Sequence, residues 1–401
     1  MPSQLHERIH PYLDELKSLR QTIHQYAELG LEEVRTSALV AAKLREWGVE
    51  VTEGVGKTGV VGVVRGKREG SRSVGLRADM DALPLPEQTG LPYRSCNAGT
   101  MHACGHDGHT AMLLGAARYL AETRDFAGTV VLIFQPAEEG RGGARAMIDD
   151  GLFDRFPCDA IYGLHNRPGL AVGHLGVRPG PVMAGGDRWR VTFQGSGGHG
   201  GSTPHLATDV TVVAGHFLLG VQTIVSRNVA ARDTAVLSVG YAESGARDAP
   251  NVMPAQFVVG GVCRTYDLTV REILEKRMRA LASSLAQAHG CKAEVEYWRS
   301  GYAVVNAPGP SAVAAQAALA AVGEANFHAD IPPSTGGEDF AEMMQVVPGC
   351  VGLIGNGADA LKLSPRLHTP HYDFNDDAIP HGIAYWASIV AEELDGNRSA
   401  G

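Results

Sequence analysis

Apolar residues at Ile9, Leu13, Leu16, Leu19 and Ile23 recur at steps of three and four, the stripe of an amphipathic helix. A second helix is predicted over Ser37–Trp47, and Gly48 suits its close. The period then changes. Val60-Val61-Gly62-Val63-Val64 and Val74-Gly75-Leu76 are short apolar runs bounded by glycine or charge, the pattern of buried strands. Next come a helix from about Gly108 to Glu122, a buried strand over Thr129–Phe134, a short helix near Ala144–Ile148 and a strand over Ala160–Leu164. Strands alternating with helices predict an α/β fold with a largely parallel sheet, and such sheets hold ligands at the carboxyl ends of their strands.

From Asp187 the texture differs. Arg188–Phe193 alternates polar and apolar, a helix covers about Asp209–Val225, and two alternating strands follow near Thr234–Val239 and Gln256–Cys263. A helix over Val270–His289 and a strand over Lys292–Tyr297 complete a β-α-β-β-α-β order, which is that of a ferredoxin-like α+β unit. The α/β pattern resumes with a helix at Ser311–Val322, a strand at Cys350–Ile354 and a closing helix over Asp376–Glu393. The expected organisation is a discontinuous main domain, residues 1–186 and 298–401, with an inserted domain at 187–297. A chain of 401 residues exceeds what one core usually supports, which agrees with two domains.

Charge narrows the partners. There are 35 basic and 44 acidic residues, a net −9 with no long basic run, which argues against a nucleic-acid backbone as ligand. The first twenty residues are charged throughout, without the apolar core of a signal peptide. The most apolar stretch, Ala214–Val225, is short and interrupted by His216 and Gln222, so no membrane span is expected. The six cysteines form no framework pattern, so reduced thiols and a cytoplasmic location are expected.

Chemistry gathers where strands end. In Met101-His102-Ala103-Cys104-Gly105-His106-Asp107-Gly108-His109, Cys104 and His106 stand two apart, a spacing that in a turn can aim thiolate and imidazole at one point. A helix start rich in small polar residues is the other reading of that segment. Glu138 and Glu139 follow the most apolar strand of the chain; adjacent carboxylates point different ways, so one could bind metal while the other faces a water. An exposed acidic turn is the plainer alternative. His165 follows another buried strand, and His368 stands late in Leu367-His368-Thr369-Pro370. One thiolate, three imidazoles and a carboxylate, with a second carboxylate to spare, suit two borderline divalent ions.

In combination with Arg77-Ala78-Asp79-Met80-Asp81-Ala82-Leu83-Pro84 and Asp373-Phe374-Asn375-Asp376, these motifs resemble, in order and along nearly the whole chain, the M20 family of metallo-amidohydrolases. The nearest branch is that of hippurate hydrolases, N-acyl-amino-acid amidohydrolases and auxin-conjugate hydrolases. The resemblance implies a zinc-peptidase-like catalytic domain and an inserted lid and dimerisation domain. It implies two divalent metal ions per subunit, zinc or manganese first and cobalt or nickel next. Cys104, His106, Glu139, His165 and His368 match the metal ligands, with Cys104 bridging, and Glu138 matches the general base. Asp81 matches an acid that orients a ligand imidazole, and His199 matches a residue that reaches the partner subunit's site and holds the substrate carbonyl. Asn251 and Arg264 match substrate contacts.

The implied activity is hydrolysis of N-acyl amino acids by a metal-bridging hydroxide, in a homodimer or a tetramer. A dipeptidase or carboxypeptidase of the same fold and a non-catalytic conjugate binder are the alternatives. Three departures cluster around substrate: Gly200–His205 after His199, Gly337 where relatives commonly carry Ser, and His371, a rival ligand, where Tyr is frequent. His102 and His109 are expected to cap or bond nearby carbonyls, and His24 to pair with a helix dipole or a local acid.

Overall fold

Pro11 breaks the first predicted helix. The computed structural model, which describes residues 3–357 and 366–395, has α1 (Ser3–Ile9), a 3-10 turn at His10–Tyr12 and α2 (Leu13–Gln25) in its place. The apolar stripe survives the break, because Leu5, Ile9, Tyr12, Leu16 and Ile23 are all buried. There follow α3 (Val34–Glu46), β1 (Glu50–Val55), β2 (Gly59–Arg65), β3 (Arg68–Asp79), α4 (His106–Thr123), β4 (Ala127–Gln135), α5 (Gly143–Asp149), α6 (Leu152–Arg155), β5 (Ala160–Arg167), β6 (Leu175–Gly176) and β7 (Gly180–Met183). Then come β8 (Gly185–Gln194), β9 (Gly198–His199), α7 (Val210–Asn228), β10 (Ala235–Ser244), β11 (Val252–Met253), β12 (Gln256–Thr265), α8 (Leu268–Ala288) and β13 (Lys292–Arg299). The chain closes with β14 (Val304–Asn306), α9 (Pro308–Val322), β15 (Phe327–His328), α10 (Phe340–Met343), β16 (Gly349–Gly355) and α11 (Ile379–Leu394).

Two units divide the chain. The first comprises residues 1–182, 305–332 and 339–401, and the second residues 183–304 and 333–338. The seams thus fall a few residues from the expected 186/187 and 297/298, and a short later segment returns to the second unit.

In the first unit an eight-stranded sheet runs in the order β1-β2-β4-β3-β5-β16-β6-β15. Its middle strands β4, β3, β5 and β16 are mutually parallel, while β1, β2 and β6 pair antiparallel. The continuous apolar run in β4 follows from that position: Val130 to Phe134 are buried on both faces. Helix α4 packs on α2 and α11, and α11 on α9. Gly108 in α4 lies against the Phe374 ring, where a Cβ would come within 2.3 Å. The side chains that converge on the site leave the carboxyl ends of β3, β4 and β5 or the loops that follow, except His368, which stands in the segment after β16.

In the second unit the antiparallel sheet β10-β12-β8-β13 is the ferredoxin-like one, covered by α7 and α8. Asp209 and Asp267 cap the two helices, each accepting a hydrogen bond from a backbone N–H of the first turn. By length and composition alone, α7, which contains the most apolar stretch of the chain, is apolar enough to cross a membrane. Its Val210, Val213, Phe217, Val221 and Ile224 instead pack with Trp189, Val191 and Phe193 in this unit's core.

One tie within the first unit was not foreseen. Arg20 sits on the apolar stripe of α2 and is fully buried. It reaches Asp376 at 2.7 Å, Asp373 at 2.8 Å and Asp107 at 3.3 Å, and its guanidinium lies 4.6 Å from the Tyr93 ring centre. It therefore joins α2 to the start of α4 and to the segment before α11. Arg20→Met would leave buried carboxylates without their cation, and we expect about 3–5 kcal/mol lower stability by denaturant unfolding.

Candidate metal centre

The cluster is built from four chain segments. Cys104 stands just before α4, and Gly105, with φ 89°, makes the sharp turn into the helix that places His106 at its first position. Glu138 and Glu139 leave β4 through Ala137, which takes the unusual φ of 56°. That strained turn is pinned by its own N–H, which donates to Glu33 Oε1 at 2.8 Å. His165 lies near the end of β5. His368 also has positive φ, 61°, and its N–H donates to the Ala103 carbonyl at 2.8 Å, beside Cys104.

Three interlocking groups result. Cys104, His106 and His165 can each offer one donor atom with all three within 4.8 Å of one another. The same holds for Cys104, Glu139 and His368, and for His106, Glu138 and Glu139. Cys104, His106 and Glu139 are each shared by two of these groups. The structure therefore brings Glu138 and the five expected ligands together, with Asp81 behind them.

Each donor is aimed by a partner. Asp81 accepts from His106 Nδ1 at 3.2 Å and from the Glu139 N–H at 2.9 Å, so His106 Nε2 points away from Asp81. His165 Nδ1 donates to the Asn166 carbonyl at 2.8 Å, so its Nε2 carries the lone pair, 3.6 Å from Cys104 Sγ. Burial, with the neighbouring His109, holds His165 down at about 3, hence neutral. Burial also pushes the Cys104 thiol well above its usual range, so it ionises only beside a cation. His106 Nε2 and Glu139 Oε1 are buried without a hydrogen bond, although Nε2 lies 3.5 Å from Asp79 Oδ2 and Oε1 lies 3.1 Å from His368 Nε2. Buried polar atoms are normally bonded, and a metal ion between the donors would satisfy them. A thiol, three imidazoles and paired carboxylates thus fit two borderline divalent ions.

The remaining histidines nearby differ in their partners, and His109 also forms a donor group with Asp79 and His106. His109 Nδ1 bonds Asp79 Oδ1 at 2.6 Å, and its Nε2 accepts from the Asn166 N–H at 3.0 Å, so both nitrogens are spent. It bonds a carboxylate and an amide rather than the carbonyls expected. His371, the rival, bonds the Gln88 carbonyl through Nδ1 at 3.0 Å and joins none of the donor groups among the described residues. His102 is buried with neither nitrogen bonded, and burial holds it down at about 4. His24 bonds Asp107 at 2.8 Å, which makes the local acid its partner.

Sequence reasoning gave no role to several residues that hold the cluster. Asp79 is fully buried between Arg77, at 2.9 Å, and His109. Asp339 accepts from Gln135 at 2.7 Å and from the Ala144 N–H at 3.0 Å, and its own N–H donates to Glu138 Oε1 at 3.2 Å. The available signal was an acid at the end of an apolar strand for Asp79, and an acid in the late Gly-Gly-Glu-Asp-Phe run for Asp339.

In the second unit, β9 and β11 form a small ribbon that pairs His199 with Val252, next to Asn251. His199 is exposed, and its Nδ1 accepts from the Gly201 and Ser202 N–H groups, both at 3.1 Å. In the neutral ring the proton is then on Nε2, which makes it a donor. Arg264 lies on β12, and its Nη1 donates to the Cys263 carbonyl at 3.1 Å.

The model of peptidase family M20/M25/M40 matches residues 75–392. A hippurate hydrolase of Campylobacter jejuni is 39% identical over 95% of this chain and 97% of its own length. An N-acetyl-L-cysteine deacetylase of Bacillus subtilis is 38% identical over 96% and 90%. The crystal structure of the Bacillus subtilis YXEP protein, a dinuclear metal binding peptidase from the M20 family, is 33% identical with a TM-score of 0.84, covering 96% of this chain and 99% of that one.

The donor geometry yields a prediction on metal content. Cys104→Ser and His368→Ala should each lose metal in elemental analysis of the purified protein, because a hydroxyl or a methyl replaces a donor. His371→Ala should keep the wild-type stoichiometry. The reverse order for the two histidines would assign the donor to His371.

Proposed function

The chain belongs to peptidase family M20/M25/M40, and on that footing we propose that it hydrolyses the amide bond of N-acyl amino acids. It is a metal-dependent amidohydrolase. The observation that carries the substrate reading is the placement of Glu138 beside His106 and Glu139, within a cluster that includes a cysteine thiol. The named relatives, a hippurate hydrolase and an N-acetyl-L-cysteine deacetylase, support the same substrate class.

Cys104, His106, Glu139, His165 and His368 are the proposed ligands of two divalent ions, which supply polarisation of the scissile carbonyl and acidification of the attacking water. Glu138 takes the water's proton as it attacks and delivers it to the leaving nitrogen. The Asp339 N–H holds one Glu138 oxygen, which fixes the direction from which the other works. Asp81 keeps His106 in the tautomer that presents Nε2. His199 donates its Nε2–H to the developing oxyanion, and its backbone-held tautomer favours that role. Asn251 and Arg264 grip the α-carboxylate, for which a guanidinium is suited by its paired donors. The second unit is the proposed lid and dimerisation domain, with His199 serving the partner subunit. A panel of N-acetyl, N-benzoyl and indole-acyl amino acids beside dipeptides separates this reading from a peptidase and from a conjugate binder.

Glu138→Gln keeps shape but cannot accept a proton. We expect turnover to fall about 10²–10⁴-fold with metal content unchanged; retention of more than about a tenth of kcat would remove Glu138 as base.

The dimer is tested by complementation. Glu138→Gln and His199→Ala are each expected to be nearly inactive. If His199 acts in trans, a mixed dimer has one site with both lesions and one with neither. Random pairing should then restore activity to about a quarter of wild type. No recovery, with subunit exchange demonstrated by mass, would place His199 in its own subunit's site or outside the chemistry.

A further inference from the structure

Strand β5 runs two residues beyond His165 and ends at Arg167. Side chains two apart on a strand point to the same face, about 6–7 Å from each other. Arg167 thus follows His165 along the face that carries the donor cluster. It lines a cavity of about 370 Å³ whose walls also carry Leu170, His328, Asp330, Ile331 and Pro332. That volume suits one arm of a small ligand. All of these residues belong to the first unit, as the donor cluster does.

The cation in this cavity is unusual for its unit. Arg20 and Arg77, the buried arginines, are each held by carboxylates. Arg167 is half-buried, yet among the described residues its guanidinium has no ion pair or hydrogen bond. Its backbone is fixed, because its carbonyl accepts from the Leu170 N–H at 3.2 Å and the Asn356 N–H at 3.3 Å. Across the cavity His328 is held by His174, with 2.9 Å between ring nitrogens and the rings stacked at 5.2 Å. Leu170 and Ile331 supply apolar wall. Asp330 is the opposing charge, but it is exposed, where hydration and salt screen it. A partly desolvated guanidinium with free paired donors is complementary to a carboxylate.

We propose that this cavity is a specificity pocket in which Arg167 binds a second carboxylate of the substrate, separate from the α-carboxylate. The substrate class is then a dicarboxylic N-acyl amino acid. The second carboxylate comes either from an acidic amino acid, as in an N-acyl glutamate, or from a dicarboxylic acyl group, as in an N-succinyl amino acid. Both present a carboxylate on a short methylene arm, whose apolar part meets Leu170 and Ile331. The inference rests on the amidohydrolase reading above, and its test separates the two.

The wild-type holoenzyme is assayed on two matched pairs: N-acetylglutamate against N-acetylglutamine, and N-succinylalanine against N-butyrylalanine. At least one pair should favour the acid by about tenfold or more in kcat/KM, and that pair identifies which half carries the carboxylate. Arg167→Met should abolish the preference, and Arg167→Lys should keep part of it. Absence of a preference in the wild type, or an equal loss on both members of each pair in Arg167→Met, overturns the proposal. Calorimetric binding of glutarate against butyrate reads the pocket without turnover, and the advantage of glutarate should disappear in Arg167→Met. If glutarate binding depends on Arg167 while no N-acyl amino acid is hydrolysed, the pocket stands and the reaction reading fails. If hydrolysis proceeds with both readouts indifferent to Arg167, the pocket alone fails.

Discussion

A single carboxylate sets the geometry of the cluster. Asp81 places one oxygen on His106 Nδ1 and the other on the Glu139 N–H. It thereby locks the first residue of α4 to the loop that leaves β4, two segments that the chain brings together only through the parallel β3–β4 pair. Without that clamp the imidazole could rotate and the loop could drift, and a displacement of about 1 Å is enough to spoil a reacting geometry. The clamp works because Asp81 is itself buried, so water does not compete for its oxygens.

Around the clamp, negative and positive groups alternate. Burial alone would raise Asp79, but the neighbouring His106, His109 and Arg77 hold it well below its usual range. Burial alone would lower His106, but Asp79, Cys104 and Asp81 raise it well above its own. Farther back, burial would lower His24, yet Asp107 and Glu87 raise it to about 9. Each charge is tolerated only through its neighbour, so the set stands or falls together. His165 is the exception, neutral and backed by a carbonyl rather than a carboxylate. The proposed ligands therefore differ in basicity although three of them are imidazoles.

Much of this was legible in the sequence, and the limits have physical causes. Continuous apolar runs marked β4, β5 and β16 because both faces of those strands are covered. β1 carries Glu50, Glu53 and a bulge, and an edge strand of that kind has little apolar pattern to read. The two-residue strands β6, β9, β11 and β15 are defined by tertiary pairing, which no local pattern announces. The residues that converge on the cluster lay in short motifs and could be named. Apart from Asp81, most of their supports could not, because Glu33, Asp107 and Arg20 act through partners far away in sequence, and charge on an apolar stripe reads equally as an exposed position. Helix α7 and its apolar character were both legible in the sequence. Its composition suits a membrane span, but the sheet of the second unit supplies the apolar surface instead.

Two of the five non-glycine residues with positive φ among the described residues stand at the cluster, while Leu31, Lys57 and Arg124 lie elsewhere. Ala137 immediately precedes Glu138, and His368 is itself one of the converging donors. Such conformations cost on the order of 1–3 kcal/mol and persist only where the surroundings over-determine them. Here the surroundings are identifiable. Glu33 accepts the Ala137 N–H with one oxygen and the Thr58 hydroxyl, at 2.6 Å, with the other. The Ala103 carbonyl holds the His368 N–H. Burial raises Glu33 above the usual carboxylate range, which adds a cost at the anchor itself. The fold thus concentrates two kinds of cost, backbone strain and buried charge, on the loops that carry Glu138, Glu139 and His368. A bound cation would repay both, by neutralising the carboxylates and by fixing the loops that present them. The energetic arrangement therefore points to the same conclusion as the donor geometry: the cluster is completed by metal, and its stability and its chemistry are one problem.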